Sequence, residues 1–266
     1  MDVGGVQLAF RREGEGEPVL FLPPLGGTHA AFNHLRRRLP PCQAILFDPR
    51  GSGASDRPAS GYSVQQAAAD GWALLDGLGI GQAVLVGVSF GGAVAQAMAG
   101  THPDRMDGLL LISTWLAPDA HRSELVRVWA ELYERLPVGL FYREVHLWTF
   151  APALYERSEA TIRRLQQGLA LERGHPDRAV FRQMAEAALA FDGRGLLAGL
   201  RVPARVLVGG EDRVTPPKEA GRLAAQVPGA ELRVVPGRGH GLVWEDPDEP
   251  LQALAEVLNA VEVSGR

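Results

Sequence analysis

The sequence predicts an α/β fold, an open and mostly parallel sheet covered by helices, with an inserted α-helical segment. Short apolar runs rich in Val, Leu and Ile alternate with segments of helical length. These runs are uninterrupted and bounded by Gly, Pro or Asp, which is typical of strands covered on both faces of a parallel sheet. The alternation breaks between Trp115 and about Gly195, where no strand-like run appears.

The elements follow in chain order. The stretch "GVQLAFRREGEGEP" predicts an early strand and a Gly/Glu turn, and Val19–Leu22 is a second strand. Five later apolar runs predict buried strands, at Gln43–Asp48, Ala83–Val88, Gly108–Ser113, Ala204–Gly210 and Glu231–Gly237. Residues 63–79 and 215–229 have helical spacing and end near Gly or Pro. This βα alternation predicts a parallel sheet.

The inserted segment, 115–195, is helical in pattern and dense in Arg and Glu. Four prolines, at positions 118, 137, 152 and 176, divide it into roughly four pieces. Because it lies between two predicted strands, we expect it to sit over one edge of the sheet as a cap. The predicted core is then 1–114 together with 196–266.

Composition and charge argue against several classes of protein. The 27 basic and 31 acidic residues give a formal net charge of -4, whereas nucleic-acid-binding proteins usually carry a basic face. No run of about 18 apolar residues is present, so no membrane-spanning helix is expected, and the N-terminus lacks a secretory pattern. The single cysteine, Cys42, cannot form an internal disulfide. These features predict a soluble cytoplasmic protein, with its oligomeric state left open.

The stretch "VGVSFGGA" (86–93) places Ser89 between glycines, directly after an apolar run and before a helix of small residues. In this position the pattern G-x-S-x-G is typical of a nucleophile elbow, which exposes a serine hydroxyl at the carboxyl end of the sheet. The following helix points its free N–H groups at any developing negative charge. The alternative is a glycine-rich turn with an incidental serine, but the surrounding strand and helix favour a nucleophile.

A serine hydroxyl needs a base to act as a nucleophile, and the base needs an acid to orient it. Both residue types follow predicted strands later in the chain. The stretch "VLVGGEDRVTP" carries Glu211 and Asp212, and "VVPGRGHGLVWEDP" carries His240 among glycines. Of the seven histidines, His240 alone occupies such a loop. Asp212 is the preferred acid, and Glu211 is the alternative.

These motifs, with two further ones, resemble the α/β-hydrolase fold superfamily. "FDPRGSGASDRP" (47–58) is similar to its D-x-R-G-x-G-x-S loop, and "HPDRMDGLLLIST" is similar to its connection after the elbow helix. The chain order Ser89, Asp212, His240 is that of the superfamily. The resemblance covers nearly the whole chain outside 115–195. It implies an α/β-hydrolase fold with a helical cap, and a structural role for Asp48 and Arg50.

The resemblance also implies an oxyanion hole built from two backbone N–H groups. The superfamily commonly has His-Gly at the start of this loop, whereas this chain has Pro23 and Pro24. Proline has no N–H, but the implied donors are the next residue, Leu25, and the residue after the nucleophile, Phe90. The loop "PLGGTHAAF" is similar to that of 3-oxoadipate enol-lactonases, which also lack His-Gly. Whether the Pro23–Pro24 bond is cis stays open.

Substrate contacts are predicted from the inserted segment and the loops beside it. The segment holds three of the five tryptophans and several other aromatic residues, most of which we expect to form its own core. Trp115, where the chain leaves the sheet, is predicted to form a wall of the substrate pocket. Val214 and His29 are predicted to contact substrate, and His34 could also line the site.

The remaining histidines receive no catalytic role. His102 is expected to cap a helix or lie in a turn, and His121, His146 and His175 are expected to be exposed or to serve packing. No cluster of Cys, His and Asp has metal-ligand spacing, so no metal is predicted.

The resemblance implies a serine hydrolase that cleaves a carboxylic ester, thioester or lactone of a small molecule through an acyl-enzyme, without a cofactor. "STWLAPDAHRSEL" resembles the start of the cap in enol-lactonases and aminoacrylate hydrolases. A serine at the elbow argues against the dehalogenase and epoxide-hydrolase branches, which use Asp. Three alternatives stay open: carbon–carbon bond hydrolysis, cofactor-free perhydrolysis, and a ligand receptor that turns over slowly.

Overall fold

The computed structural model describes residues 1–171 and 174–264. Residues 172–173, in the predicted cap, and 265–266, at the end of the predicted core, lie outside the described residues. The described chain forms a seven-stranded sheet with helices on its faces. The strands are β1 (Phe10–Glu13), β2 (Pro18–Leu22), β3 (Gln43–Phe47), β4 (Ala83–Val88), β5 (Met106–Ile112), β6 (Ala204–Gly209) and β7 (Glu231–Val235).

The strand order is β1-β3-β2-β4-β5-β6-β7, and β1 alone runs antiparallel to its neighbour. The prediction of an open, mostly parallel α/β sheet is therefore confirmed. The prediction of a buried strand at Glu231–Gly237 is wrong in part. The strand ends at Val235 and forms an edge of the sheet, where Leu232 and Val234 are 41% and 42% exposed because only one side of the strand has a neighbour.

Helices and two short 3-10 turns connect the strands. Among the described residues, no helix is both long and apolar enough to cross a membrane. The helices are α1 (Asn33–Arg36), α2 (Val64–Gly77), α3 (Phe90–Thr101), α4 (Ala120–Arg135), α5 (Val138–Thr149), α6 (Pro152–Leu171), α7 (Arg178–Ala190), α8 (Pro217–Ala224), α9 (Leu242–Glu245) and α10 (Asp248–Ser264), and the 3-10 turns are His29–Phe32 and Pro103–Arg105.

The hydrophobic core lies on both faces of the sheet because the central strands carry apolar side chains on both faces. Successive side chains of a strand point to opposite faces. In β2, Leu20 and Leu22 belong to the cluster that includes residues of α2 and α3, whereas Val19 and Phe21 belong to the cluster that includes residues of α10. The uninterrupted apolar run thus covers two faces at once, as the sequence pattern predicts.

The register of the parallel strands aligns their carboxyl ends at one edge. Leu22 of β2 pairs with Gly87 of β4, and Val88 pairs with Ile112 of β5. In the same way, Gly209 at the end of β6 pairs with Val235 at the end of β7. The loops that follow β2, β4, β6 and β7 therefore all emerge on one side of the sheet, where open α/β sheets bind ligands.

The loop after β3 is held by buried charges. Asp48 accepts hydrogen bonds from the amides of His29 and Ala54, both at 3.0 Å. The guanidinium of Arg50 donates two hydrogen bonds, at 2.5 and 2.6 Å, to the carboxylate of Asp70 in α2. Because both charges are buried, their paired geometry is what makes the burial tolerable. These contacts fit the structural role expected for Asp48 and Arg50.

The segment between β5 and β6 contains α4, α5, α6 and α7. Each helix follows or begins at one of the four prolines, as their spacing predicts, because a proline is tolerated at a helix start but not inside a helix. Within the segment, α5 packs against α6, and α4 packs against α7. The Asp119 side chain caps α4 by accepting a hydrogen bond from the Arg122 amide at 2.9 Å.

Candidate active site

Ser89 lies at the turn between β4 and α3 with φ 53° and ψ -115°. A positive φ is uncommon for a residue with a side chain, and such strain persists only where the surroundings fix it. The Ser89 amide donates to the Ile112 carbonyl at 2.9 Å, and its own carbonyl accepts from Thr114 Oγ1 at 2.7 Å. The end of β5 therefore holds the elbow in its strained conformation.

The glycines of the motif are required by close backbone approach. A Cβ atom at Gly87 would lie 2.5 Å from the Gly91 carbonyl oxygen, and one at Gly91 would lie 2.0 Å from the Leu22 carbonyl oxygen. Both distances are far inside van der Waals contact. The G-x-S-x-G spacing thus lets α3 pack directly against the ends of β2 and β4, with Ser89 at the tip.

His240 makes contacts with both Ser89 and Asp212. Its Nε2 lies 3.0 Å from Ser89 Oγ, and its Nδ1 lies 2.9 Å from Asp212 Oδ2. The other oxygen of the buried Asp212 carboxylate accepts from the amides of Val214 at 2.9 Å and Thr215 at 2.8 Å. These donors compensate for the loss of water around the carboxylate. Glu211, the alternative acid, is exposed to solvent.

Thr215 is a member of this network that the sequence analysis missed. Its hydroxyl donates to Asp212 Oδ2 at 2.9 Å and lies 3.1 Å from His240 Nδ1. The side chain is buried. Its position shortly after Asp212 is the one signal that could have found it, because an Asp side chain in a turn often binds groups of the residues that directly follow it.

The loop that carries His240 is anchored on both sides. The Gly239 amide donates to Glu245 Oε1 at 2.9 Å, and the Gly241 amide donates to the Thr149 carbonyl at 2.8 Å. Glu245 Oε1 also accepts from the Ala151 amide at 3.2 Å. Burial raises the pKa of Glu245, and the two backbone donors oppose that rise. The glycines that flank His240 therefore connect its loop to the end of α5.

The loop after β2 carries Leu25, the first of the two expected oxyanion donors. The Gly27 amide donates to the Pro24 carbonyl at 2.9 Å, and Gly26 has φ 66°, as expected at the third position of a type II turn. Such a turn leaves the amide of its second residue, Leu25, unused. The Phe90 amide is the first of α3, so it has no partner within the helix. No peptide bond in the described chain is cis, and Pro23–Pro24 is trans.

Ser89 and His240 line a cavity of about 520 Å³ beneath α4, α5, α6 and α7. Its other walls come from the loop after β2, including Leu25, and from aromatic and aliphatic side chains of the four helices. The aromatic side chains of the wall include Trp129, Phe141, Tyr142 and Phe181 from these helices and Phe150 directly after α5. A cavity of this size and character is typical of a small-molecule site.

Trp115 does not line this cavity, which corrects the prediction of a substrate wall. It is 4% exposed and packs in the core of the sheet, edge-to-face against Phe191 with ring centroids 6.5 Å apart. The Arg122 guanidinium lies 4.3 Å from the centre of its ring. Trp115 lies between β5 and α4, where the chain still contacts α3. Its side chain therefore packs where the chain leaves the sheet and does not form a wall of the pocket.

Two other predicted substrate contacts are also displaced from the cavity. His29 points to the loop after β3, with its Nδ1 2.6 Å from Asp48 Oδ1, and it borders a separate surface cleft. Val214 is buried in the cluster of Trp129 and Phe141, behind the cavity wall. His34, which the sequence analysis also placed near the site, does line the cavity.

His146 and His175 line the cavity, although the sequence analysis assigned them to exposure or packing. His146 is 6% exposed, and burial lowers its pKa to about 4. His175 Nε2 lies 2.7 Å from the Leu169 carbonyl oxygen. The signal that could have found His146 is its spacing, since positions 142, 146 and 150 recur on one face of a helix. Within the described residues, no group of three or more His, Cys, Asp or Glu side chains could hold a metal ion.

The alpha/beta hydrolase fold family model matches residues 17–247. A relative from Caulobacter segnis, named provisionally as the carbamate hydrolase RutD, is 30% identical over 250 residues, which cover 91% of each chain. Among solved structures, a thermophilic esterase from Thermogutta terrifontis has a TM-score of 0.86 at 29% identity and covers 98% of this chain and 96% of its own. The enol-lactonase from Burkholderia xenovorans LB400 has a TM-score of 0.85 at 25% identity, covering 97% and 98%.

The family match extends over most of the sheet and over the loops that carry Ser89, Asp212 and His240. The solved structures agree with it in fold over nearly the whole chain. The expected resemblance is therefore confirmed, and the chain belongs to the α/β-hydrolase fold family as a hydrolase enzyme.

Proposed function

We propose that the chain hydrolyses a carboxylic ester, thioester or lactone, with Ser89 as nucleophile, His240 as base and Asp212 as the acid that orients His240. The observation that carries this proposal is the hydrogen-bond path from Ser89 Oγ through His240 to Asp212, with distances of 3.0 and 2.9 Å. Two structural relatives, an esterase and an enol-lactonase, support the ester and lactone class.

In the first half of the reaction, His240 Nε2 accepts the proton of Ser89 Oγ while Oγ forms a bond to the substrate carbonyl carbon. The carbonyl oxygen becomes an oxyanion, which the amides of Leu25 and Phe90 bind. Asp212 stabilises the imidazolium at Nδ1. The bond from carbon to the leaving oxygen or sulfur then breaks, and the leaving group takes the proton from Nε2. The acyl group stays on Ser89.

Water resolves this acyl-enzyme. His240 takes a proton from the water as its oxygen bonds to the acyl carbon, and the bond to Ser89 Oγ breaks as Oγ regains the proton. Thr215 assists as a positioning residue, since its hydroxyl binds the same Asp212 oxygen that faces His240. The reaction needs only side chains, two backbone amides and water.

We further propose that residues 115–195 act as a cap over a core of 1–114 and 196–266. The contribution of α4, α5, α6 and α7 to the cavity wall supports this division. In this arrangement the core carries the reacting groups, and the cap selects the substrate through shape and apolar contact.

The nucleophile can be tested by labelling and by substitution. Ser89→Ala should lower kcat for p-nitrophenyl butyrate by about 10⁴-fold or more, the usual cost of losing a triad member. A fluorophosphonate should give one adduct, on Ser89, found by mass spectrometry of peptides. A panel of esters, thioesters, lactones, carbamates and diketones then ranks the substrate classes on the same enzyme.

Ser113→Ala is the matched control. Ser113 also follows a strand and has a positive φ of 48°, but it is fully buried away from the cavity. The Ser113→Ala variant should keep wild-type turnover of p-nitrophenyl butyrate, and the fluorophosphonate should still label Ser89. An adduct on a residue other than Ser89, or near-normal turnover by Ser89→Ala, would overturn the assignment. Turnover of diketones alone would replace ester hydrolysis with carbon–carbon cleavage.

A further inference from the structure

The hydroxyl of Thr114 lies behind one of the two expected oxyanion donors. Thr114 follows β5, is 2% exposed and does not belong to the cavity wall. Its Oγ1 donates a hydrogen bond to the Ser89 carbonyl oxygen at 2.7 Å. That carbonyl and the Phe90 amide form one trans peptide group, in which the C=O and the N–H point in opposite directions. The hydroxyl therefore contacts the back of the peptide group whose N–H is expected to bind the oxyanion.

The Ser89 carbonyl does not need this hydrogen bond in order to be paired. It is the first acceptor of α3, and it accepts the Gly92 amide at 2.9 Å and the Ala93 amide at 3.4 Å. A carbonyl oxygen has two lone pairs, so Thr114 can add its hydroxyl to an oxygen that the helix already uses. The side chain thus brings an additional donor to this one peptide group.

The chain leaves room for this contact at Gly92, the glycine that directly follows the G-x-S-x-G motif. A Cβ atom at Gly92 would lie 2.5 Å from Thr114 Cβ and 2.6 Å from Thr114 Oγ1. Both distances are far inside van der Waals contact, so a larger residue at this position would displace the Thr114 side chain. The third glycine of the stretch 86–93 is therefore explained by the approach of Thr114 to α3.

A hydrogen bond to the carbonyl of a peptide group strengthens its amide as a donor. Hydrogen bonds in a chain polarise one another, by about 10–30% per bond. The bond also fixes the plane of the peptide, and oxyanion donors act best when they are already oriented. The other expected donor has a similar arrangement, because the Pro24 carbonyl, in the same peptide group as the Leu25 amide, accepts the Gly27 amide at 2.9 Å.

We infer that Thr114 is a positioning residue for the oxyanion hole. Its hydroxyl orients and polarises the peptide group between Ser89 and Phe90, so that the Phe90 amide binds the developing oxyanion more strongly. This inference rests on the proposed hydrolysis at Ser89. It assigns part of the strength of the hole to a side chain, which substitution can change, whereas a backbone amide stays in place when its side chain is replaced.

The test compares Thr114→Ser with Thr114→Ala, because both variants lose the same methyl group and differ only in the hydroxyl. With p-nitrophenyl butyrate, Thr114→Ala should have a kcat about tenfold lower than Thr114→Ser, the size of one hydrogen bond. KM should be nearly the same, since the oxyanion forms only in the transition state. Thr114→Val, which keeps the size and removes the hydroxyl, replaces Thr114→Ala if circular dichroism shows that the latter does not fold.

Thr101→Ala is the matched control. The Thr101 hydroxyl also donates to carbonyls of α3, those of Ala97 at 3.1 Å and Met98 at 3.0 Å, but at the opposite end of the helix from Ser89. The Thr101→Ala variant should keep the wild-type kcat for p-nitrophenyl butyrate.

A second readout measures the oxyanion directly. A trifluoromethyl ketone with an isotope-labelled carbonyl carbon accepts Ser89 Oγ to form a hemiketal, while the Ser89 proton passes to His240. The NMR shift of the labelled carbon then reports the protonation of the hemiketal oxygen. Hydrogen bonds from the hole favour the charged form, so the pKa of the hemiketal hydroxyl should be higher in Thr114→Ala than in Thr114→Ser.

The outcomes separate this inference from the proposed function. Equal kcat in Thr114→Ala and Thr114→Ser, with turnover that depends on Ser89, overturns the role of Thr114 and leaves the proposed hydrolysis intact. A loss of kcat without a rise in the hemiketal pKa assigns Thr114 to the placement of the Ser89 side chain, and it also overturns the inference. If the wild type neither hydrolyses the ester nor forms the hemiketal at Ser89, the proposed function fails and this inference fails with it.

Discussion

The loops at the strand ends and the helices that line the cavity differ in how their polar groups are satisfied. In the loops, Asp212 accepts two backbone amides and the Thr215 hydroxyl in addition to its contact with His240. In the helices, the buried polar atoms of His146 and Thr149 have no partner among the described residues. The Asp212 carboxylate is therefore fully paired by its own loop, whereas these two side chains of α5 are not paired.

This difference follows from what each region must do. Groups that stabilise a transition state act best when they are already oriented, because reorientation during the reaction would cost free energy. In the proposed reaction, the strain at Ser89 and the donors to Asp212 provide that preorganisation. The helices, by contrast, contribute mainly apolar side chains to the cavity wall, and such a wall acts through shape and needs no preoriented polar group.

The largest effect is expected at Asp212, the proposed acid and the fully paired group of the loops. Asp212→Asn should keep the fold but present an amide to His240 Nδ1, which favours the wrong tautomer of the imidazole. We expect kcat to fall by about 10⁴-fold, as in the trypsin example on which this principle is based. Steady-state turnover of p-nitrophenyl butyrate and circular dichroism measure the two expectations.

Glu211→Gln is the control for this change, because Glu211 is the adjacent carboxylate and is exposed. It should keep nearly full activity. If Glu211→Gln lowers kcat strongly and Asp212→Asn does not, Asp212 is not the acid, and its hydrogen bonds do not contribute to catalysis.

The second prediction concerns the backbone that supports Ser89. Gly91→Ala places a Cβ atom 2.0 Å from the Leu22 carbonyl oxygen, and the backbone there cannot move without shifting β2 or α3. We expect a loss of about 3 kcal/mol in the free energy of unfolding, as for an overpacked core. Gly81→Ala is the control, since a Cβ there meets nothing within 4 Å. Equal stability of the two variants in urea unfolding would show that the elbow is not tightly packed.

The same two regions also differ in how much of their structure could be predicted from the sequence. The strands were predictable because uninterrupted apolar runs have one stable location, a sheet covered on both faces. Ser89, Asp212 and His240 were predictable as candidates because each follows a strand within a short motif. Their positions depend on local backbone geometry and on which strand ends align, and both leave a trace in short stretches of sequence.

The cavity wall was much less predictable. Trp115 comes first in the inserted segment, but its side chain packs against Phe191, a partner 76 residues away that no local pattern reveals. His146 carries a helical spacing, yet the same spacing also fits a face packed within the cap. Which face of α5 meets the cavity depends on how four helices pack over the sheet, which is a tertiary property that short motifs do not encode.

The smallest effects that we predict are two opposite dependences of stability on pH, one from His146 of α5 and one from Glu17, just before β2. Burial lowers the pKa of His146 from 6.5 to about 4, so the unfolded chain binds a proton more readily in this range, and stability falls as the pH drops from 6.5 to 4. Burial, followed by the charge and hydrogen bond of Asp107, raises the pKa of Glu17, just before β2, from 4.5 to about 7. The folded chain then keeps a proton that the unfolded chain releases, so stability falls as the pH rises from 4.5 to 7.

Urea unfolding at pH 5, 6.5 and 8 isolates each slope when a variant is compared with the wild type. His146→Leu should gain stability relative to the wild type as the pH falls, by about 2 kcal/mol between pH 8 and pH 5. Glu17→Gln should gain as the pH rises, by about 1 kcal/mol or less, because solvent screens this half-buried carboxyl. A difference that is constant across the three pH values would mean that the replaced group does not change its proton binding on folding. Slopes of the same sign would contradict this prediction, because the two groups would then change their proton binding on folding in the same direction.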